Sequence, residues 1–363
     1  MTITENSTTT QPMAGAALRT AWKAIQQAKP GIRIREAAAD LGSSEAELVA
    51  TTIGDDTVRL EARWQELVKR LPELGRIMSL TRNNGCILEH KGPFQKVNTF
   101  GNADHAMGTV IGPIETRIFF QAWHVAFAVK QKKDDRELIS LQVFDQSGEA
   151  ITKIYLQENS DTDAFERLMN DFASSDQSPE QFTKKYSEET FNSNVNKAAL
   201  LNDWAALEDT HDFFPMLKKY NVHRYNALEL AEDKFSYRIT PSSVEKILQG
   251  AATEKLPIMI FAGNRGNLQI HQGKVKTIRL IERGHTGEEK WLNVLDPDFN
   301  MHLRMDYVQY VWVVTKPTKD GDVTSVEVFD KDKNLIVQFF GLRKPGIQEL
   351  DGWRNLVNSL PRL

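Results

Sequence analysis

The chain has 363 residues, 45 Lys and Arg against 49 Asp and Glu, a formal net charge of −4 and one cysteine. That length suits two domains, each large enough to bury a core. Near-neutral charge excludes a global polyanion-binding surface, and a lone Cys86 excludes an intramolecular disulfide or a thiolate cluster within the chain. The N-terminus lacks the basic segment and apolar run of a signal peptide, and no stretch of eighteen apolar residues is present. The expectation is a protein of a soluble, reducing compartment.

Residues 1–17 are Thr-rich, polar and aperiodic, and read as a disordered tail. From Leu18 to about Leu74 the pattern is helical, with Leu18, Trp22 and Ile25 three and four apart. IRIREAAADLG predicts a short helix closed by Gly42, and SSEAELVATTIG opens on a serine cap. From Arg76 to about Leu156, β-rich runs alternate with Gly, Asn and Asp turns. ISLQVFDQSGEAITKIYLQ predicts a hairpin about Gln146-Ser147-Gly148, and Thr162–Ala173 a helix. Polar, Ser-rich residues 176–195 read as a linker between an N-terminal half (18–175) and a C-terminal half (196–363). The second half starts afresh, with helices over 196–219, 222–232 and 241–251. Strands follow from Ile258 to Leu342, and a last helix covers about Ile347–Leu360.

The halves resemble each other. RNNGCILEHKG (82–92) matches GNRGNLQIHQG (263–273), placing His90 opposite His271. ISLQVFDQSGEAITKIYL (139–156) matches TSVEVFDKDKNLIVQFFG (324–341), and TRIFFQAW (116–123) matches MHLRMDYV (301–308). The predicted fold is therefore α+β with an internal duplication: two halves, each of helices plus a large antiparallel sheet. Residues shared by both halves point to structure; residues in one half only are better candidates for function.

The eight histidines (90, 105, 124, 211, 223, 271, 285 and 302) form no HExxH or other close helical pair, which argues against a mononuclear zinc site. No G-x-S-x-G, P-loop or G-x-G-x-x-G is present. Residues 32–50 resemble a helix-turn-helix, but the second helix carries Glu45 and Glu47 and no basic residue, so a helical cap on the sheet is the better reading.

In AALLNDWAALEDTHDFF, Leu200, Trp204, Leu207, His211 and Phe214 follow helical spacing, which predicts an imidazole on an apolar helix face. Pro215 predicts that this helix ends or kinks just past His211. The ordinary reading is a hydrogen-bonded core histidine; the other is a ligand projecting into an apolar pocket, which suits haem iron. Arg117 alternates with Glu115 and Phe119 on one strand face, opposite Ile118 and Phe120. It is either an exposed arginine or a fixed cation for a carboxylate or a group beside the iron. Its repeat partner is His302, so this charge belongs to one half only.

WAALEDTHDFFPMLKKYNVHR (204–224), IFAGNRGNLQIHQG (260–273), WLNVLDPDFNMHLR (291–304), WVVTKPTKDGDVTSVEVFD (312–330) and QFFGLRKPG (338–346) resemble the HemS/ChuS/PhuS family of bacterial cytoplasmic haem-handling proteins. So do GPIETRIFFQAW and SLQVFDQSGEAITKIYLQENSD in the first half, and the resemblance covers residues 18–363. It implies haem b between the halves, with His211 the proximal iron ligand and Arg117 on the distal side, catalytic if the chain is an oxygenase. It further implies pocket roles for Arg224 and Lys316 (propionates), Phe261 and Phe340 (ring packing) and Gln338, and a secondary haem histidine at His90. Thr315-Lys316-Pro317-Thr318 departs from the RKPT usual in the family by one neighbouring charge.

The function implied is handling of imported haem: trafficking to an oxygenase, breakdown to release iron, or both. The implied partners are a haem oxygenase or the cytoplasmic side of a haem ABC transporter, and an electron donor if the chain is an enzyme. The chain is expected as a monomer or homodimer. The alternatives from other classes are a non-enzymatic scaffold with His211 in its core, and a DNA-binding regulator using residues 32–50.

Overall fold

The computed structural model describes residues 13–102, 105–133, 136–283, 288–344 and 346–363. Most of the expected N-terminal tail lies outside them.

Alternating Val, Ile and Phe runs between turn residues build two nine-stranded sheets, antiparallel throughout. The first runs β1 (Thr57–Leu60), β7 (Val125–Lys133), β8 (Arg136–Phe144), β9 (Ala150–Ser160), β2 (Gly75–Arg82), β3 (Cys86–Pro93), β15 (Phe299–Arg304), β14 (Glu289–Leu295), β13 (Ile278–Arg283). The second runs β10 (Ser236–Ile239), β16 (Tyr310–Lys316), β17 (Val323–Phe329), β18 (Leu335–Gly341), β11 (Ile258–Gly263), β12 (Asn267–Gly273), β6 (Glu115–Phe119), β5 (Met107–Val110), β4 (Asn98–Phe100). The duplication is as expected, but the halves interlock: each lends three strands to the other's sheet. The lent strands join at β3–β15 and β12–β6, so neither β3 nor β12 is left as an unpaired edge.

The exchanged strands still face their own half. Ile118 of β6 packs with Ile77, Leu141 and Ile154 beneath α4 (Trp64–Arg70) and α5 (Thr162–Asp171). Leu292, Met301 and Leu303 pack with Ile260, Val313 and Phe339 beneath α9 (Ser243–Thr253) and α10 (Asp351–Asn358). At the pseudo-two-fold axis the repeat is reciprocal. Asn83 Nδ2 donates to the carbonyls of Gly263 (3.1 Å) and Ile336 (2.8 Å); Asn264 Nδ2 donates to those of Arg82 (2.9 Å) and Ile151 (2.8 Å). Gly85 and Gly266 are glycines because of close approach here. A Cβ would sit 2.8 Å from Ile336 Cγ2 and 2.6 Å from Ile151 Cδ1, respectively.

The faces turned away from this core carry the remaining helices. On the first sheet lie α1 (Gly15–Ala28), α2 (Ile34–Asp40) and α3 (Glu45–Ala50). Ala46, Leu48, Val49 and Ala50 of α3 are buried, so the helix-turn-helix-like segment is a cap and offers no recognition helix to a groove. On the second sheet lie α6 (Lys197–Ala205), α7 (Phe213–Lys219) and α8 (Arg224–Leu230), with Trp204, Phe213 and Tyr225 packed on Trp312, Val314 and Phe329. This second outer face carries the candidate site.

Candidate functional site

Antiparallel register aligns side chains across the second sheet's outer face. Arg117 lies opposite Leu268, Glu115 opposite Ile270, and Ile270 opposite Phe261. Phe261 lies opposite Gln338, Gln338 opposite Glu327, and Phe340 opposite Met259 and Ser325. Five of the predicted residues — Arg117, Phe261, Lys316, Gln338 and Phe340 — therefore belong to one face. At ~4.8 Å per strand, β6 to β16 spans about 24 Å. Arg117 follows the predicted alternation: it is half-buried, Ile118 behind it is buried, and its Nη2 pairs with Glu115 at 2.8 Å. Phe261 and Phe340 have ring centroids 5.0 Å apart. A cavity of about 620 Å³ is lined by Phe119, Phe261, Leu268 and Gln338 together with Arg35 and Arg82 of the first half; Arg117, His211, Arg224, Lys316 and Phe340 are not part of its wall.

The predicted cations meet a carboxylate that sequence reasoning missed. Glu327, with no exposed side-chain surface, accepts from Arg224 Nε and Nη2 (both 2.7 Å), Lys316 Nζ (2.9 Å), Ser325 Oγ and Gln338 Nε2 (both 3.1 Å). Burial pushes its carboxyl up, but Arg224 and then Lys316 pull it further the other way, to well below the usual range. Lys316 is itself buried under the Phe213 ring, 4.7 Å from its centroid, and desolvation lowers its pKa despite Glu327. The ammonium is thus spent on Glu327, not presented to a ligand. Arg224 is 23% exposed and its Nη1 has no hydrogen-bond partner among the described residues. The cluster carries two cations and one carboxylate, leaving one positive charge in excess. The repeat held a signal for Glu327: its counterpart is Gln142, so the charge occurs in one half only.

His211 is not where periodicity puts it. The helix α6 ends at Ala205, and His211 sits in a separate 3-10 turn, Thr210–Asp212, with its side chain 94% exposed. A reading of His211 as a core residue is thereby corrected. The turn has its own cap: Asp209 Oδ1 accepts the His211 backbone N–H (2.8 Å), and Asp212 Oδ2 accepts that of Asp209 (3.1 Å). Pro215 does not end a helix either. It is the third residue of α7, where a backbone N–H has no helical acceptor to lose. The same Asp209 Oδ1 lies 2.6 Å from His211 Nδ1, which leaves Nε2 facing outward. Phe214, in the first turn of α7, is 61% exposed.

His90 lies apart from the His211 turn. It is 4% exposed, between the sheets, with Nδ1 accepting from Gln269 Nε2 at 2.8 Å. Its ring lies 4.6 Å from Phe299, which in turn stacks on His271 at 3.7 Å. His90, His271 and Phe299 line a separate cavity of about 350 Å³. Burial pushes His90 down to about 3 and His271 down to about 4. Both are neutral in the native state, whereas the unfolded chain takes up their protons near pH 6.5. Stability therefore falls as pH drops from about 6.5 toward 4. In urea titrations over that range, His271→Phe is expected to show a shallower loss than wild type; equal slopes would contradict this.

The fold and site define a duplicated two-sheet protein with an exposed imidazole on the turn between two helices that pack on the second sheet's aromatic, cation-bearing outer face. A family model described as "Haemin-degrading HemS.ChuX domain" matches residues 42–172 and 221–360, and the chain belongs to this HemS/ChuS/PhuS family. The chain is similar to holo-PhuS, a heme-binding protein from Pseudomonas aeruginosa: 40% identity, TM-score 0.92, covering 97% of this chain and 100% of that one. It is similar to ChuS, titled an E. coli heme oxygenase, at 29% identity and TM-score 0.82, covering 94% and 99%. The hemin transport protein HmuS of Yersinia pestis is 31% identical over 333 residues, 91% of this chain and 93% of that one. Among the described residues no helix is long and apolar enough to cross a membrane.

Proposed function

We propose that this chain is a cytoplasmic haem-handling protein that binds haem between the His211 turn and the outer face of the second sheet. The observation that carries this reading is His211 itself: an exposed imidazole, anchored through Nδ1 with Nε2 open, on the turn between two helices that pack on the aromatic face. Haem, when bound, supplies an iron that takes one neutral imidazole nitrogen and a macrocycle that needs apolar faces. In this reading His211 would hold the iron and Phe261 and Phe340 would pack against the macrocycle. Arg224 turns its free Nη1 to a propionate while keeping its grip on Glu327, and Lys316 contributes through the excess charge of that cluster. Relatives named as heme-binding, hemin transport and heme oxygenase proteins support the ligand.

Titration with haemin tests it. A saturable Soret complex is expected; no spectral complex at micromolar haemin would overturn the reading. Capture and hand-over of haem is the primary function in this reading, because the ligand stands exposed at the surface, where a partner can reach it. Breakdown is the second reading, favoured by Arg117, whose guanidinium stands on the same face as a hydrogen-bond donor. Loaded protein given an electron donor, with catalase present to remove free peroxide, separates the two. Carriage predicts intact haem that passes to an added oxygenase; a tetrapyrrole product establishes breakdown.

A further inference from the structure

We propose that Asp209 is the positioning residue for His211: its carboxylate holds the imidazole as the Nδ1–H tautomer and presents Nε2 as the open donor nitrogen. The inference rests on the haem reading for the identity of the metal, but its geometry belongs to the free chain. A carboxylate only accepts hydrogen bonds, so the 2.6 Å contact to Oδ1 places the proton on Nδ1 and the lone pair on Nε2. An imidazole as exposed as His211 has no packing to fix its ring. Orientation comes instead from the turn, where Asp209 binds both the backbone and the ring of His211. The turn is tied down as a unit, since the Lys319 N–H donates to the Glu208 carbonyl at 3.0 Å and links it to the loop after β16. An anionic acceptor behind a ligating histidine also strengthens it as a donor. Haem iron is thus met by a ligand whose tautomer and direction are set before binding.

The alternative is that Asp209 only caps the turn. Asp209→Asn separates the two roles, because an amide oxygen still caps the His211 N–H but carries no charge. In the haem-free chain above pH 8, imidazole ¹⁵N shifts are expected to report Nδ1–H at His211, moving toward Nε2–H in Asp209→Asn. In the loaded chain, Asp209→Asn is expected to lower the ferrous iron–histidine stretching frequency, raise the midpoint potential and weaken haem binding about ten- to a hundredfold. Asp209→Glu recovers part of each. A haem-free wild type that reads Nε2–H overturns the proposal. So does a loaded Asp209→Asn with unchanged stretch and potential. A chain that reads Nδ1–H yet forms no His211-ligated complex refutes the haem reading and leaves this orientation standing.

Discussion

Glu327→Ala is expected to lower the unfolding free energy by about 3–5 kcal/mol, the cost of removing one partner from a buried ion pair. The mechanism is the charge left behind. Arg224 loses a bidentate partner, and Lys316, 3% exposed, loses the one carboxylate it pairs with among the described residues while Phe213 still covers it. Gln338 and Ser325 lose the acceptor they share. Removing Lys316 as well should recover part of the loss, since Lys316→Met with Glu327→Gln buries neutral groups where unpaired charges stood. Urea denaturation of wild type and the two variants checks this. A Glu327→Ala loss below about 1 kcal/mol, typical of an exposed pair, would mean that the cluster is solvated and the site loose. The pair also has a pH signature. Glu327 is held below its usual range, so its stabilisation is present above about pH 4.5 and is lost as pH falls through that range.

The first half carries a cluster of the same kind with its charges rearranged. Glu45 opens α3 as Arg224 opens α8, and it pairs with Arg82 and Lys153 across the first sheet. Lys153 stands in the repeat where Gln338 stands in the second half, and Tyr155 where Phe340 stands. The duplicated fold thus offers two outer faces, but the aromatic pair Phe261–Phe340 belongs to the second. The His211 turn joins α6 and α7, the helices that pack on that second face.

Alternating patterns within single strands and the match between halves were legible in the sequence, because both are local. Arg117 shows this: its strand face could be read from Glu115 and Phe119 alone. The exchange of β4–β6 for β13–β15 was not legible, because a repeat says which strands are alike and not whose edge they join. His211 was misplaced for a different reason. Leu200 and Trp204 do share a buried helix face, and the spacing continues through Leu207, but backbone capping outcompetes the pattern. Asp209 and Asp212 close a new turn, and α7 begins at Phe213 with Pro215 in its first turn. The acidic residues two before and one after the histidine, Asp209 and Asp212, were the signal for a cap. Glu327 was hidden in a valine-rich strand, although its absence from the first half marked it.

The central claim is that His211, and no other histidine, ligates haem. Haemin titration of wild type, His211→Ala and His90→Ala followed at the Soret band tests it most directly. Wild type and His90→Ala are expected to give the same spectrum. His211→Ala is expected to shift the band and to bind more than about a hundredfold more weakly, beyond the ten- to hundredfold that outer-shell changes cost. A His211→Ala protein with wild-type spectrum and affinity would contradict the account.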